Sequence, residues 1–183
     1  MHTFLFADLV GFTTLSIDEG DERAAEVATR FHREVRARAA RHGAVVVKSL
    51  GDGAMVRAGD ACDALRLGLE LAGDLDGLPA VRVGINTGPA VERDGDYFGS
   101  AVNMAARLSQ AARGGEVLLS ETTRAAARRR RPRLEPRGPR TFRNAREPVD
   151  VYAASERPPL RERFRAAAER HGCPYASAKA TTA

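Results

Sequence analysis

Two aspartates, one lysine and an asparagine-arginine pair are the residues of this sequence best placed to do chemistry. Asp8 closes the apolar run HTFLFADL, and Asp52 lies in the Gly-Asp-Gly of AVVVKSLGDGAMV. If the first strand and the hairpin around Gly51-Asp52-Gly53 are neighbours in one sheet, these carboxylates, 44 positions apart, converge on one spot. Two carboxylates and a nearby backbone carbonyl suit a hard divalent cation such as Mg²⁺, with waters and phosphate oxygens completing the octahedron. A pair of such ions suits in-line displacement at phosphorus. Taken singly, an aspartate at a strand end serves a turn or a cap more often than a metal.

Asn103 and Arg107 are spaced i and i+4 within an otherwise apolar run, and so share one face of a helix. Such a pair either forms the solvated stripe of an amphipathic helix or stabilises charge developing in a transition state. Lys48 is conspicuous for another reason. The chain holds 29 Lys plus Arg, yet its only lysines are Lys48 and Lys179. Arg replaces Lys at most solvated positions, but not where a compact ammonium is required.

The elements that must position these residues follow from pattern. HTFLFADL reads as a strand. DERAAEVATRFHREVRARAARHG has helical spacing at Ala24, Val27, Phe31, Val35 and Ala39, and Gly43 closes it. AVVVKSL and AMVRA pair as a hairpin, and Asp60 caps a second amphipathic helix, DACDALRLGLELAGDLDG. AVRVGINTG is a strand, PAVERDGD a brief excursion, YFGSAVNMAARLSQAAR a third helix, EVLLS a strand, and ETTRAAARRR a helix capped by Ser120. The order is the split β-α-β-β-α-β pattern of an α+β, ferredoxin-like core. RPRLEPRGPRTFRNAREPVDVYAA adds short C-terminal strands with prolines at their boundaries. One compact domain over 1–154 is expected, with 155–183 a basic tail carrying a short helix.

At 183 residues and 43% hydrophobic content, the chain supports one domain with an ordinary core. The net charge of +5 is concentrated, since residues 128–157 hold ten arginines against four acids. A nucleic-acid binder built on RRRRPRLEPRGPR is one reading, but the segment lacks interleaved aromatics, and positive charge suits a helix C-terminus. Cys62 and Cys173 form no metal-spaced pair, no secretory leader is evident, and no apolar run reaches a bilayer's span. A reduced, cytoplasmic setting without a membrane segment is expected.

The motifs, in order and spacing, resemble those of the class III nucleotidyl cyclases, the adenylate and guanylate cyclases, over about Thr3 to Tyr152. FADLVGFT is similar to the family's first metal motif and KSLGDG to its second. The resemblance implies Asp8 and Asp52 as ligands of two divalent cations, Mg²⁺ or Mn²⁺, helped by the backbone carbonyl of Leu9 or Val10. It places Phe12 and Thr13 beside a triphosphate. GDYFGSAVNMAARL is similar to the family's helix motif, implying that Asn103 orients the ribose and Arg107 stabilises pentavalent phosphorus. Lys48 and Asp96 fall where the family reads the base, the pair expected for ATP. Adenine offers an acceptor at N1 and a donor at N6, which an ammonium and a carboxylate complement, whereas guanine reverses that edge. TFRNAREPVDVY nominates Arg143 for the terminal phosphates, with Arg140 or Arg146 as rivals.

The implied activity is conversion of ATP to 3′,5′-cyclic AMP at sites shared across a homodimer. The span from Pro89 to Gly95 is short where many members carry a longer dimerisation arm, and the first motif begins almost at the N-terminus. A weak dimer, and either low activity or dependence on a separate regulatory protein, are therefore the expectations. A silent, nucleotide-binding cyclase-like domain and a guanylate cyclase are the alternatives.

Overall fold

The order in which apolar strands and amphipathic helices alternate decides how this chain folds. The computed structural model describes residues 1–128, 132–143, 145 and 147–156. Arg146 and most of the expected tail lie outside them.

Strand β1 (His2–Leu9) leads through two helices, α1 (Phe12–Glu19) and α2 (Asp21–Arg41), to the hairpin β2 (Val45–Leu50) and β3 (Gly53–Ala58). Helix α3 (Ala61–Ala72) then returns the chain to β4 (Val81–Gly88). A small hairpin, β5 (Val91–Arg93) and β6 (Asp96–Phe98), precedes α4 (Ser100–Ala111). The chain continues through β7 (Val117–Ser120), α5 (Glu121–Ala126), β8 (Arg133–Arg140) and β9 (Val149–Ser155). Seven strands form one sheet in the order β2-β3-β1-β4-β7-β9-β8. Its first four strands, β2-β3-β1-β4, have the antiparallel order of a split βαββαβ core, and β7, β9 and β8 extend it.

The alternation of β1 sorts its side chains between two faces. Leu5, Ala7 and Leu9 join the larger core with Val27, Phe31 and Val35 of α2 and Leu65, Leu67 and Leu71 of α3. Phe4 faces the other way, packing with Met55 of β3 and with Ala101, Val102 and Ala105 of α4. Helix α2 buries the five residues its periodicity marks, Ala24, Val27, Phe31, Val35 and Ala39. Its first turn carries Asp21 and Glu22 and its last Arg38 and Arg41, charges that complement the helix dipole. The α3 cap is also as expected: Asp60 accepts from the backbone N–H of Cys62 at 2.7 Å. Across the outer surface Arg41 and His42 both donate to Glu70, joining α2 to α3.

Helix α4 lies unusually close to β4. A Cβ added at Gly84 would stand 2.0 Å from the Ser109 backbone nitrogen and 2.3 Å from the Ala105 carbonyl oxygen, so only glycine lets the two backbones meet there.

Three expectations change. Helix α1 was not foreseen, because it buries no residue and so leaves no apolar stripe in the sequence. The third helix starts at Ser100 rather than Tyr97; Tyr97 and Phe98 pair with Glu92 and Val91 in the small hairpin. Pro136 and Pro139 lie within β8 instead of at its boundary. The strand tolerates them because it is an outer strand of the sheet and its register shifts between Pro136 and Gly138.

Candidate active site

Asp8 and Asp52 converge. In the register of β1 against β3, Asp8 stands opposite Gly53, and the Leu9 N–H donates to the Asp52 carbonyl at 3.0 Å, tying the hairpin turn to the end of the first strand. Gly53 must be small: a Cβ there would lie 3.1 Å from Asp8 Oδ1 and 3.3 Å from the Ala7 carbonyl oxygen. Burial pushes the Asp52 carboxyl above its ordinary value of 3.8, and the neighbouring negative charge of Asp8 pushes it further. Two carboxylates held together against their own repulsion fit a divalent cation. Among the described residues no cluster of three or more His, Cys, Asp or Glu side chains forms a metal site. Such an ion would therefore draw its remaining ligands from backbone, water and phosphate.

Two residues of this site escaped the sequence reading. Arg82 of β4 stands opposite Asp8, and its Nε donates to Asp8 Oδ2 at 2.8 Å, with Nη2 a second donor to the same oxygen. The guanidinium thus already balances one of the two carboxylates. Its signal was available, since Arg82 is the one charged residue of AVRVGINTG, as Lys48 is of AVVVKSL. His32 of α2 touches the Gly53 carbonyl oxygen through Nε2 at 3.1 Å. A carbonyl only accepts, so Nε2 carries the proton and the ring pins the turn beside Asp52. No local pattern marks His32, whose partner lies on another element.

Phe12 and Thr13 open α1 directly after the Asp8 strand. Gly11 caps this helix with no side-chain hydrogen bond, leaving its N-terminal end with the partial positive charge that attracts phosphate oxygens. Leu9 is itself buried, with its side chain in the larger core.

Lys48 and Asp96 also meet. Lys48 Nζ donates to Asp96 Oδ2 at 2.6 Å, bridging the outer strand β2 and the small hairpin. The Lys48 bond, and after it a bond from the Tyr97 N–H, holds the Asp96 carboxyl below the ordinary carboxylate range. The register of β2 shifts between Val46 and Lys48, which brings Lys48 opposite Met55.

Among the described residues, Asn103 and Arg107 form no hydrogen bond or ion pair with the aspartates of their own chain, and the face of α4 that carries them is turned from the sheet. Helix α4 buries Ala101, Val102, Ala105, Leu108 and Ser109 against the sheet. At 100° per residue, Asn103 and Arg107 lie on the opposite side of the helix. Asn103 is exposed and Arg107 half-buried. Arg143 is equally remote. Asp8, Arg82, Val117, Ala154 and Leu134 mark one end of the sheet through the successive registers. The connection from β8 to β9, which holds the exposed Arg143, leaves from the other end. Arg140, the described rival, donates to the Ala111 carbonyl at 3.4 Å, beside the C-terminus of α4. Of the arginine-rich segment, Arg133 and Arg137 pair with Glu135 and Glu116.

With this geometry in view, the comparisons with known proteins are specific. The sequence profile described as adenylate and guanylate cyclase catalytic domain matches residues 2–155. An adenylate cyclase of Streptomyces griseus is 38% identical over 117 residues, covering 62% of this chain and 29% of that protein. A pH-sensitive adenylate cyclase of Mycobacterium tuberculosis is 37% identical over 127 residues, covering 68% of this chain and 32% of its own length. The chain therefore spans about a third of the length of these curated relatives. The crystal structure of the adenylyl cyclase CyaB from P. aeruginosa superimposes with a TM-score of 0.74 at 26% identity, over 85% of this chain and 94% of that one. Among the described residues no helix is long and apolar enough to cross a membrane. The matched profile spans nearly the whole of the described residues, and the chain belongs to the class III adenylate and guanylate cyclase catalytic domain family.

Proposed function

We propose that this chain is an adenylate cyclase domain that converts ATP to 3′,5′-cyclic AMP and pyrophosphate. The observation that carries the reading is the juxtaposition of Lys48 and Asp96, an all-donor group beside an all-acceptor group, which complements the N1 and N6 edge of adenine. The same pair presents guanine with a donor facing a donor and an acceptor facing an acceptor. The mismatch costs about 1–3 kcal/mol for each group left unpaired.

In the reaction the ribose 3′-oxygen attacks the α-phosphorus, loses its proton, and pyrophosphate departs as the bond to the bridging oxygen breaks. Asp8, Asp52 and the backbone carbonyl of Leu9 or Val10 would hold two divalent cations, Mg²⁺ or Mn²⁺, which when bound would activate the 3′-hydroxyl and offset the charge of the triphosphate. Phe12 and Thr13 offer backbone N–H groups of the α1 N-terminus to phosphate oxygens. Asn103 orients the ribose and Arg107 stabilises the charge on pentavalent phosphorus. Asn103 and Arg107 lie on the side of α4 turned from the sheet, which supports the reading that they serve the site of a second copy, a two-fold homodimer then carrying two equivalent sites. Arg143, at the far end of the sheet, reaches the triphosphate in the same shared arrangement. The domain is read as 1–154, working in the cytoplasm, with 155–183 a tail.

The test is purified protein incubated with ATP or GTP and either metal, with cyclic product quantified. Cyclic AMP as the main product, abolished by Asp8→Ala, supports the reading. Cyclic GMP as the main product overturns the base assignment, and nucleotide binding without turnover overturns the catalytic one.

A further inference from the structure

The hairpin that carries Asp96 is not part of the main sheet. Strands β5 and β6 pair only with each other, so no ladder of backbone hydrogen bonds fixes their position relative to β2 and Lys48. Side chains must do it. Of the six residues in the two strands only Tyr97 is buried. Its ring packs with Phe4 and Met55 in the smaller core and lies 5.4 Å from the rings of both Phe4 and His2. The Arg57 guanidinium stands 5.8 Å from its centroid. At its outer end the Tyr97 hydroxyl donates to Glu92 Oε2 at 2.8 Å, closing the cross-strand pair Glu92–Tyr97. At its root the Tyr97 N–H donates to Asp96 Oδ1 at 2.8 Å, while Asp96 Oδ2 accepts a hydrogen bond from Lys48 Nζ. Both oxygens of Asp96 are thus oriented, one by Lys48 and one by the backbone of the residue that anchors the hairpin.

We propose that Tyr97, braced by Glu92, is the positioning residue for base discrimination: it fixes where the Asp96 carboxylate stands relative to Lys48, and so sets the preference between ATP and GTP. The proposal rests on the reading that Lys48 and Asp96 face the base. A carboxylate free to shift by a fraction of a hydrogen-bond length loses the directionality that separates an N6 donor from an O6 acceptor. Loosening the anchor should therefore erode discrimination more than it erodes turnover. An anchor that only supports the fold would lower the use of both nucleotides together.

The experiment compares Tyr97→Phe, which keeps the ring and removes the hydroxyl, Glu92→Gln, Tyr97→Leu and the reference variant Asp96→Ala. Two readouts apply: the ratio of kcat/KM for ATP to that for GTP, and the relative affinity for non-cyclisable analogues of the two nucleotides by calorimetry. Tyr97→Leu is expected to lower both ratios about tenfold, and Tyr97→Phe and Glu92→Gln about two- to threefold, the loss of one oriented hydrogen bond. If Asp96→Ala collapses the ratios but Tyr97→Leu lowers the use of both nucleotides equally, Tyr97 is structural and the proposal is overturned while the base reading stands. If Asp96→Ala leaves the ratios unchanged, the base reading itself falls and the proposal with it. Should Tyr97→Leu fail to fold, unchanged ratios in both Tyr97→Phe and Glu92→Gln overturn the proposal.

Discussion

At the scale of single residues, the site is built from charges that already have partners. Lys48 and Asp96 satisfy each other at 2.6 Å, so a base that docks against the pair would meet a donor and an acceptor already held in place. Replacing Lys48 with Glu and Asp96 with Ser should move the preference from ATP toward GTP by about 10- to 100-fold in kcat/KM ratio, measured with both substrates side by side. Asp52 has the opposite character. Burial and the charge of Asp8 raise its carboxyl in the folded state, so the ionised form is disfavoured by folding. The sign is therefore that Asp52 costs stability when the pH lies above its folded value, and the cost vanishes as the pH falls below the ordinary 3.8. Asp52→Asn should raise the melting temperature of the metal-free protein at pH 7.5 by about 1–3 °C. The same variant should lose the stabilisation that added Mn²⁺ gives the wild type, as a thermal melt with and without the ion will report. An unchanged response to Mn²⁺ would remove Asp52 from the metal site.

At the scale of elements, the contact of α4 with β4 governs where Asn103 and Arg107 stand. Gly84→Ala drives a methyl into backbone atoms at 2.0 and 2.3 Å, atoms that cannot yield as a flexible side chain would. The variant should lose about 3 kcal/mol or more in denaturant unfolding, and whatever folds should cyclise poorly because the helix is displaced. Much at this scale was legible in the sequence. The stripe of α2, the Asp60 cap, the Gly-Asp-Gly hairpin and the pairing of Lys48 with Asp96 all followed from local pattern or from motif. What escaped lacks such a pattern. Helix α1 buries nothing, and β5 and β6 are three residues each, too short for an alternation to register. Arg82, marked in the sequence only as the lone charge of its strand, and His32, not marked at all, reach Asp8 and Gly53 through strand register and helix packing, across 74 and 21 positions of sequence.

At the scale of the whole molecule, one chain holds both halves of the proposed site, with Asn103 and Arg107 on the side of α4 turned from the sheet. Mixing Asp8→Ala with Arg107→Ala protein should restore activity to two inactive preparations, approaching about one quarter of wild-type turnover if subunits exchange at random, since half of the dimers then carry one intact site of two. No recovery after verified subunit exchange would sink the shared-site arrangement. The sheet order has a further consequence. On the proposed assignment the metal-holding Asp8 lies on β1, paired on both sides within the sheet, whereas Lys48 lies on the outer strand β2 and Asp96 on a hairpin outside the main ladder. On that assignment Lys48 and Asp96 can be exchanged at the edge of the sheet, whereas Tyr97 beside them is held in the core. Asp8 sits on a strand with neighbours on both sides, so a change there disturbs two ladders at once. Such a plan separates the part of the molecule that would choose the purine from the strand that would hold an ion.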